Sequence, residues 1–92
     1  MIQSFKCEGT AALFSGRRVA RFANIGATAE RKQEMLAVAA SLDFLRSPPG
    51  NRPEVLGGDR KGQHSIRIND RWRVCFVWKP DGPEAVEIVG YH

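Results

Sequence analysis

Two arginines in one predicted hairpin and a histidine at the end of the chain are the residues best suited to chemistry. The segment GGDRKGQHSIRINDRWRVCF, residues 57–76, carries five Lys and Arg residues against two Asp residues, and Arg67 and Arg73 lie within it. An arginine presents planar, forked donors that bind phosphate oxygens in pairs. The imidazole of His92 titrates near neutral pH, which suits it to proton transfer. These residue types predict a phosphate-binding site with a proton carrier.

Side-chain alternation in the hairpin fixes which residues share a face. A three-residue turn at 69–71 separates an apolar face from a polar one, whereas a two-residue turn mixes them. Burial selects the first register, because a slip of one residue would expose the whole apolar set. On the apolar face this register pairs Ile68 with Trp72, Ile66 with Val74, and His64 with Phe76.

The same register sets Arg67 directly opposite Arg73 on the other face, with Lys61, Gln63 and Ser65 on that side by parity. Opposed like charges cost a sheet roughly 0.2–1 kcal/mol. A surface built for stability alone avoids this arrangement, so we interpret the pair as a phosphate cradle. The alternative is that Glu87 from the last strand neutralises both charges.

Helical patterns precede the hairpin. The sequence predicts a weak helix over 8–14 and a stronger one over 28–45, with Thr28 as its N-cap. The stronger helix carries an apolar stripe of Met35, Val38, Leu42 and Leu45. Residues 17–26 have no firm assignment, and three prolines predict that 47–53 is irregular.

Strands account for the rest of the chain. A short strand is expected over 1–5, and three more over 63–68, 72–78 and 85–91, the last entered through a turn at 80–83. Helices first and an antiparallel meander last predict one α+β domain over residues 1–92, with the helices on one face of the sheet. If Val86 and Ile88 join the core, Tyr91 falls on the basic face. His92 lies beyond the strand pairing, so its side is not fixed by parity, and on the basic face it would end beside the two arginines and Tyr91.

Such a set of residues can cleave RNA through the substrate's own 2′-hydroxyl without a metal. Arg67 and Arg73, with Arg60 in reserve, suit the stabilisation of phosphate charge, and His92 suits proton transfer. The chemistry alone does not identify a second proton carrier.

Composition favours an anionic partner and excludes several other classes. The net charge is +4 and the sequence pI about 9.6. Arg17, Arg18 and Arg21 form a second basic cluster, which we expect to hold ribosomal RNA. Cys7 and Cys75 match no zinc spacing and are expected to be reduced thiols. No leader or membrane-spanning segment is recognised, so the sequence predicts a cytoplasmic protein without membrane association, cofactor or metal.

Three segments of the chain carry a family resemblance. LRSPPGNRPE, GDRKGQHSIRINDRWRVCFVW and the terminal VEIVGYH are similar to the HigB/GraT branch of the RelE-like toxins, and MIQSF and AERK fit the same pattern. The likeness covers nearly the whole chain. Its core, G-D-R-x-G-x-x-S-I-R-I-N-x-x-W-R with a terminal Y-H, is specific.

The resemblance implies a toxin of a bacterial type II toxin–antitoxin system that cleaves mRNA in the ribosomal A site. It implies a RelE-like microbial-ribonuclease fold, in which helices pack on one side of a curved antiparallel sheet. It also implies a helix-turn-helix antitoxin, through which operator DNA is bound. By motif, Arg73 would stabilise the transition state, and Tyr91 and His92 would form the catalytic end. Further RNA contacts are expected from Arg52, Arg60, Lys61, Arg67 and Arg71.

The chain departs from the family pattern at two positions. Relatives commonly end in D-Y-H, where this chain has Gly90, and some carry a lysine where it has Gly57. Glu54, Lys61 and His64 are the candidates that could compensate, and the sequence does not choose among them. Cleavage is therefore expected to persist but to be weaker.

Two other interpretations stay open at this stage. One is a catalytically weakened module that binds RNA or the ribosome and acts mainly with an antitoxin as an operon co-repressor. The other is a structural subunit whose basic face docks an acidic protein. A sequence-specific DNA reader is disfavoured, because the basic residues lie on strands rather than on a recognition helix.

Overall fold

The computed structural model describes residues 1–90 as two α-helices and a four-stranded sheet. Helix α1 spans Glu8–Phe14 and α2 spans Gly26–Val38. Strands β1 (Glu54–Val55), β2 (His64–Arg67), β3 (Trp72–Lys79) and β4 (Gly82–Gly90) pair antiparallel in the order β1-β2-β3-β4. This confirms the predicted α+β class. Short 3₁₀ helices occupy Ala20–Phe22, Leu42–Arg46, Pro49–Asn51 and Gly58–Arg60.

One face of the sheet builds the core. Ile66, Val74 and Ile88 point from β2, β3 and β4 towards Ala29 and Leu36 of α2, and all five are buried. Both α-helices pack against this face, so that within residues 1–90 the opposite face of the sheet is not covered by an α-helix. Within residues 1–90, no helix has the length and apolar character needed to cross a bilayer.

The hairpin register is the predicted one. His64 pairs with Phe76, Ile66 with Val74, and Arg67 with Arg73. The amide of Ile68 donates to the carbonyl of Trp72 at 2.9 Å, which closes the three-residue turn. Within the turn, the Asn69 side-chain oxygen accepts the amides of Arg71 (2.8 Å) and Trp72 (3.0 Å).

The long helix predicted over 28–45 is wrong at both ends. Helix α2 begins at Gly26, with Ile25 rather than Thr28 at the N-cap and no side-chain bond there. It ends at Val38, which is 70% exposed rather than part of the core. The hydroxyl of Ser41 accepts the Phe44 amide at 3.3 Å and starts a separate 3₁₀ helix. A serine hydroxyl competes for backbone donors in this way, so capping overrides the apolar period.

The predicted N-terminal strand is reduced to a single bridge. Phe5 pairs parallel with Val86, and the Ser4 carbonyl accepts the Val86 amide at 3.1 Å. The first residues therefore cover the outer edge of β4. Gly82, at φ 132°, allows this close approach, because a Cβ there would collide with the Met1 carbonyl oxygen.

The segment 47–53, predicted to be irregular, contains a 3₁₀ turn organised by a buried asparagine. The Asn51 amide group donates to the carbonyls of Leu45 (3.0 Å) and Ser47 (3.3 Å), and its oxygen accepts from Lys32 of α2. Arg52 follows in a left-handed conformation at φ 40° and turns the chain into β1. Sequence analysis predicted no strand at β1, which has only two residues.

Candidate nucleic-acid interface

The side of the sheet opposite the two α-helices carries an ordered set of polar side chains, which we call the polar face. One row runs across all four strands, because Glu54 pairs with Ser65, Ser65 with Cys75, and Cys75 with Glu87. The next row holds Arg67, Arg73 and Val89. Cross-strand neighbours lie about 5 Å apart, so these side chains form one surface.

Arg73 is fixed in the middle of the polar face by uncharged partners. Its Nε donates to the hydroxyl of Ser65 at 2.7 Å. Its Nη2 donates to the carbonyl of Arg52 and, at 3.4 Å, to that of Ser65. Among residues 1–90 no carboxylate forms an ion pair with Arg73. The guanidinium is thus oriented without being neutralised, as an anion-binding group requires.

Arg67, directly opposite Arg73, has a carboxylate partner from its own hairpin. Its Nη2 donates to Asp70, an exposed residue of the turn. The hydrogen bond from Arg67, followed by the charges of Arg67 and Arg52, holds the pKa of Asp70 below its usual range. The structure does not place Glu87 against either of these arginines, contrary to the alternative considered from sequence.

Glu87 pairs instead with a third arginine. The 3₁₀ helix Gly58–Arg60 brings Arg60 over the polar face, where its Nη1 donates to the carboxylate of Glu87 (3.2 Å) and to the side-chain oxygen of Gln63 (3.1 Å). Lys6 approaches the same carboxylate at 3.9 Å. Arg60 is therefore part of the polar face rather than a remote reserve.

Other predicted site residues are distributed unevenly. Glu54 lies on the polar face and is exposed. His64 lies on the opposite face, where its ring stacks on Phe76 with centroids 5.9 Å apart, so the structure does not bring it to Arg73. Lys61 is exposed in a turn before β2 begins, so strand parity does not apply to it, and Arg71 is exposed in the hairpin turn. Tyr91 and His92 lie outside the described residues.

Comparison with known proteins decides the family. Residues 15–92 match the model for the RelE-like toxin of the type II toxin–antitoxin system HigB. The chain belongs to the HigB-like toxin family. It is 50% identical over 48 residues to Toxin HigB-1 of Vibrio cholerae, which is 52% of this chain and 50% of that protein.

A second relative is an uncharacterized protein of Haemophilus influenzae. It is 33% identical over 55 residues, which is 60% of this chain and 52% of the relative. The chain thus spans about half the length of the curated relatives that it matches. The α+β architecture agrees with the RelE-like fold that the family model describes.

The sequence did not predict how three residues of this member of the HigB-like toxin family support the polar face. Ser65 anchors Arg73, and Asn51 holds the turn that delivers the Arg52 carbonyl. Lys32 bonds Asn51, and burial, followed by the charges of Arg31 and Arg67, lowers its pKa below the usual range. The available signal was the Ser65 hydroxyl at a polar-face position of β2. The roles of Asn51 and Lys32 depend on contacts between distant segments.

A thiol lies near the β4 edge of the same face. Cys7 caps α1, with its Sγ 2.8 Å from the Thr10 hydroxyl and 3.6 Å from Nη2 of Arg21. Burial raises the pKa of Cys7, but the hydrogen bonds with Thr10 and Arg21 outweigh it and leave the pKa below its usual range. Cys7 and Cys75 form no disulfide. Among residues 1–90, no three His, Cys, Asp or Glu side chains are grouped so as to hold a metal ion.

Proposed function

We propose that this chain is the toxin of a type II toxin–antitoxin pair and that it cleaves mRNA in the ribosomal A site through the substrate's own 2′-hydroxyl. The observation that carries the proposal is Arg73, which is oriented by Ser65 and the Arg52 carbonyl and forms no ion pair with a carboxylate of residues 1–90. Membership of the HigB-like toxin family supports it.

The proposed reaction is an internal phosphoryl transfer. The 2′-oxygen attacks the adjacent phosphorus as a base removes its proton, and the bond from phosphorus to the 5′-oxygen breaks. An acid protonates the departing 5′-oxygen, so the products are a 2′,3′-cyclic phosphate and a 5′-hydroxyl. Arg73 stabilises the negative charge that accumulates on the phosphate oxygens, an effect that oxyanion donors typically supply at 10²–10³-fold in rate. These steps use the chain's own groups as proton carriers.

The proton carriers in this proposal come from two places. The family resemblance assigns Tyr91 and His92 to the catalytic end. Of the compensating candidates, Glu54 is supported by geometry, because it shares the polar face with Ser65 and Arg73 while His64 does not. Which group acts as base and which as acid is assigned by the pH–rate profile described below.

The remaining arginines and the partners complete the proposal. Arg52, Arg60, Lys61, Arg67 and Arg71 contact the RNA backbone and so add affinity that falls with salt. A helix-turn-helix antitoxin neutralises the toxin, and the two together bind operator DNA through the antitoxin. Toxicity in the cytoplasm, relieved by a small neighbouring open reading frame, is the expected phenotype.

Primer extension on mRNA incubated with ribosomes and purified protein tests the reaction. We expect cleavage by the wild type and its loss in Arg73→Ala and in a chain lacking His92. Arg31→Ala is the matched control, since Arg31 is an exposed arginine of α2, which packs against the other face of the sheet. Ribosome binding by the wild type without cleavage would refute the nuclease and support the co-repressor module instead. If the wild type cleaves mRNA, pH–rate profiles of Glu54→Gln and His92→Gln assign the base. The base is the residue whose replacement removes the fall in cleavage rate at acidic pH.

A further inference from the structure

A shallow hollow lies at the β4 edge of the polar face. Its volume is about 260 Å³, and Arg21, Arg60, Trp72, Glu87 and Gly90 contribute to its walls. Val89 also borders it and pairs directly with Arg73 across β3 and β4. Adjacent strands are about 4.8 Å apart, so the hollow begins one strand away from Arg73.

Arg21 reaches this hollow because the core holds it there. The 3₁₀ helix Ala20–Phe22 buries Phe22, whose ring packs edge-on against Trp72 with centroids 5.6 Å apart. The Arg21 guanidinium lies over the same Phe22 ring at 4.6 Å and donates to Cys7 at 3.6 Å. An exposed arginine held by a buried ring loses less freedom when it binds a ligand.

The charges around the hollow favour an anion. Lys6, Arg21 and Arg60 supply three positive charges, and Glu87 supplies one negative charge. Among the side chains of residues 1–90, this leaves a formal excess of +2 around the hollow. Glu87 thus orients Arg60 at 3.2 Å, and among these four side chains positive charge remains in excess.

The N-terminal basic cluster is split by the fold. Arg17 and Arg18 border a different hollow, together with Leu13 and Gly26 of the helical side. Arg21, only three residues further along the chain, borders the hollow beside the polar face. The chain therefore offers a matched control, since Arg17 and Arg21 are both exposed arginines in one short segment.

We propose that Arg21 and Arg60 form a second phosphate subsite, which binds a backbone phosphodiester of the RNA next to the one held at Arg73. The proposal rests on the proposed function for the identity of the ligand. Guanidinium groups bind phosphate oxygens through forked donors, and the hollow continues the polar face in the direction of β4. Gly90 borders the hollow and immediately precedes Tyr91 and His92 in the sequence.

The test uses the full chain and a short single-stranded oligonucleotide of 2′-O-methyl ribonucleotides, which has no 2′-hydroxyl to react. Fluorescence anisotropy gives its Kd over a series of salt concentrations. We expect Arg21→Gln to weaken binding about 2- to 5-fold, as for an exposed charge pair. The slope of log Kd against log salt should become shallower by about 0.7, the value for one phosphate contact on a single strand.

Two variants keep the result specific. Arg21→Lys should preserve the salt slope, because it keeps the charge, and Arg17→Gln should preserve both the slope and the Kd. Equal slopes and affinities for Arg21→Gln and Arg17→Gln would overturn the subsite, as would a wild type that does not bind the oligonucleotide.

Cleavage of ribosome-bound mRNA is measured separately. If oligonucleotide binding depends on Arg21 but mRNA is not cleaved, the subsite stands and the proposed nuclease activity is refuted. If mRNA is cleaved but binding does not change in Arg21→Gln, the nuclease activity stands and the subsite is refuted.

Discussion

Replacing Ser65 with alanine tests whether the orientation of Arg73 matters as well as its charge. The Ser65 hydroxyl is fully buried and accepts the Arg73 Nε proton at 2.7 Å. In Ser65→Ala the guanidinium keeps its bonds to the backbone carbonyls of Arg52 and Ser65. The variant therefore loosens Arg73 without removing it.

The size of the effect follows from which contacts remain. A hydrogen bond to a charged group contributes about 1.5–3 kcal/mol, and only one of the three contacts of Arg73 is lost. We expect kcat to fall about 10-fold, which corresponds to about 1.4 kcal/mol. Complete loss of the guanidinium in Arg73→Ala should cost about 10²–10³-fold. The free energy of unfolding should fall by about 1.5 kcal/mol, the lower end of the range for a hydrogen bond to a charged group, since Arg73 keeps its two carbonyl contacts.

Single-turnover cleavage of ribosome-bound mRNA measures the loss, and urea unfolding measures stability. The double variant Ser65→Ala/Arg73→Ala should be no slower than Arg73→Ala, because Ser65 acts through Arg73. Ser4→Ala is the control, as it also removes a serine hydroxyl that accepts a single N–H, here from Ala85 at 2.9 Å and far from Arg73. Additive losses in the double variant, or an equal loss in Ser4→Ala, would show that Ser65 serves only the fold.

Three further predictions concern other parts of the polar face. Gly90→Asp should raise the single-turnover rate about 10-fold, since general acid–base groups contribute 10²–10⁴-fold; an unchanged rate would show that the missing acid is not limiting. The pH dependence of Cys7 alkylation by iodoacetamide should have its midpoint below 9.0, the ordinary pKa of a thiol. Arg21→Gln should raise this midpoint, because the Arg21 contact lowers the pKa of Cys7. The pKa of Asp70, followed by NMR, should lie below 3.8. Its pairing with Arg67 therefore stabilises the fold above about pH 4, and this contribution is lost as the pH falls through the lowered pKa. In Arg67→Gln the pKa of Asp70 should return towards 3.8.

The hairpin could be predicted to the residue because its constraint is local. Apolar residues alternate on both strands, and only one register buries all of them. The opposition of Arg67 and Arg73 follows from that register and from nothing else in the chain. The presence of two opposed arginines on the polar face could therefore be predicted from the sequence.

The end of α2 and the anchoring of Arg73 could not be predicted in the same way. The apolar stripe continues through Leu42 and Leu45, but the Ser41 cap breaks the helix before them, and Leu45 reaches the core from a separate 3₁₀ turn. The Arg52 carbonyl reaches Arg73 only because Arg52 adopts φ 40°. A non-glycine residue in that conformation carries no sequence signal, since its neighbours impose it.

The two opposed arginines, Arg67 and Arg73, have different partners, and stability alone does not explain the difference. The hairpin supplies Asp70 to Arg67, which relieves that charge. Within the described part of the chain, residues 1–90, Arg73 donates to a hydroxyl and two carbonyls. A nearby carboxylate, Glu87, is engaged by Arg60 and Lys6 instead. A fold selected for stability would pair both arginines or remove one of them. If the proposed function is right, an anionic ligand offsets the electrostatic cost retained at the oriented Arg73 guanidinium, and a phosphodiester has the charge and the acceptor geometry to do so.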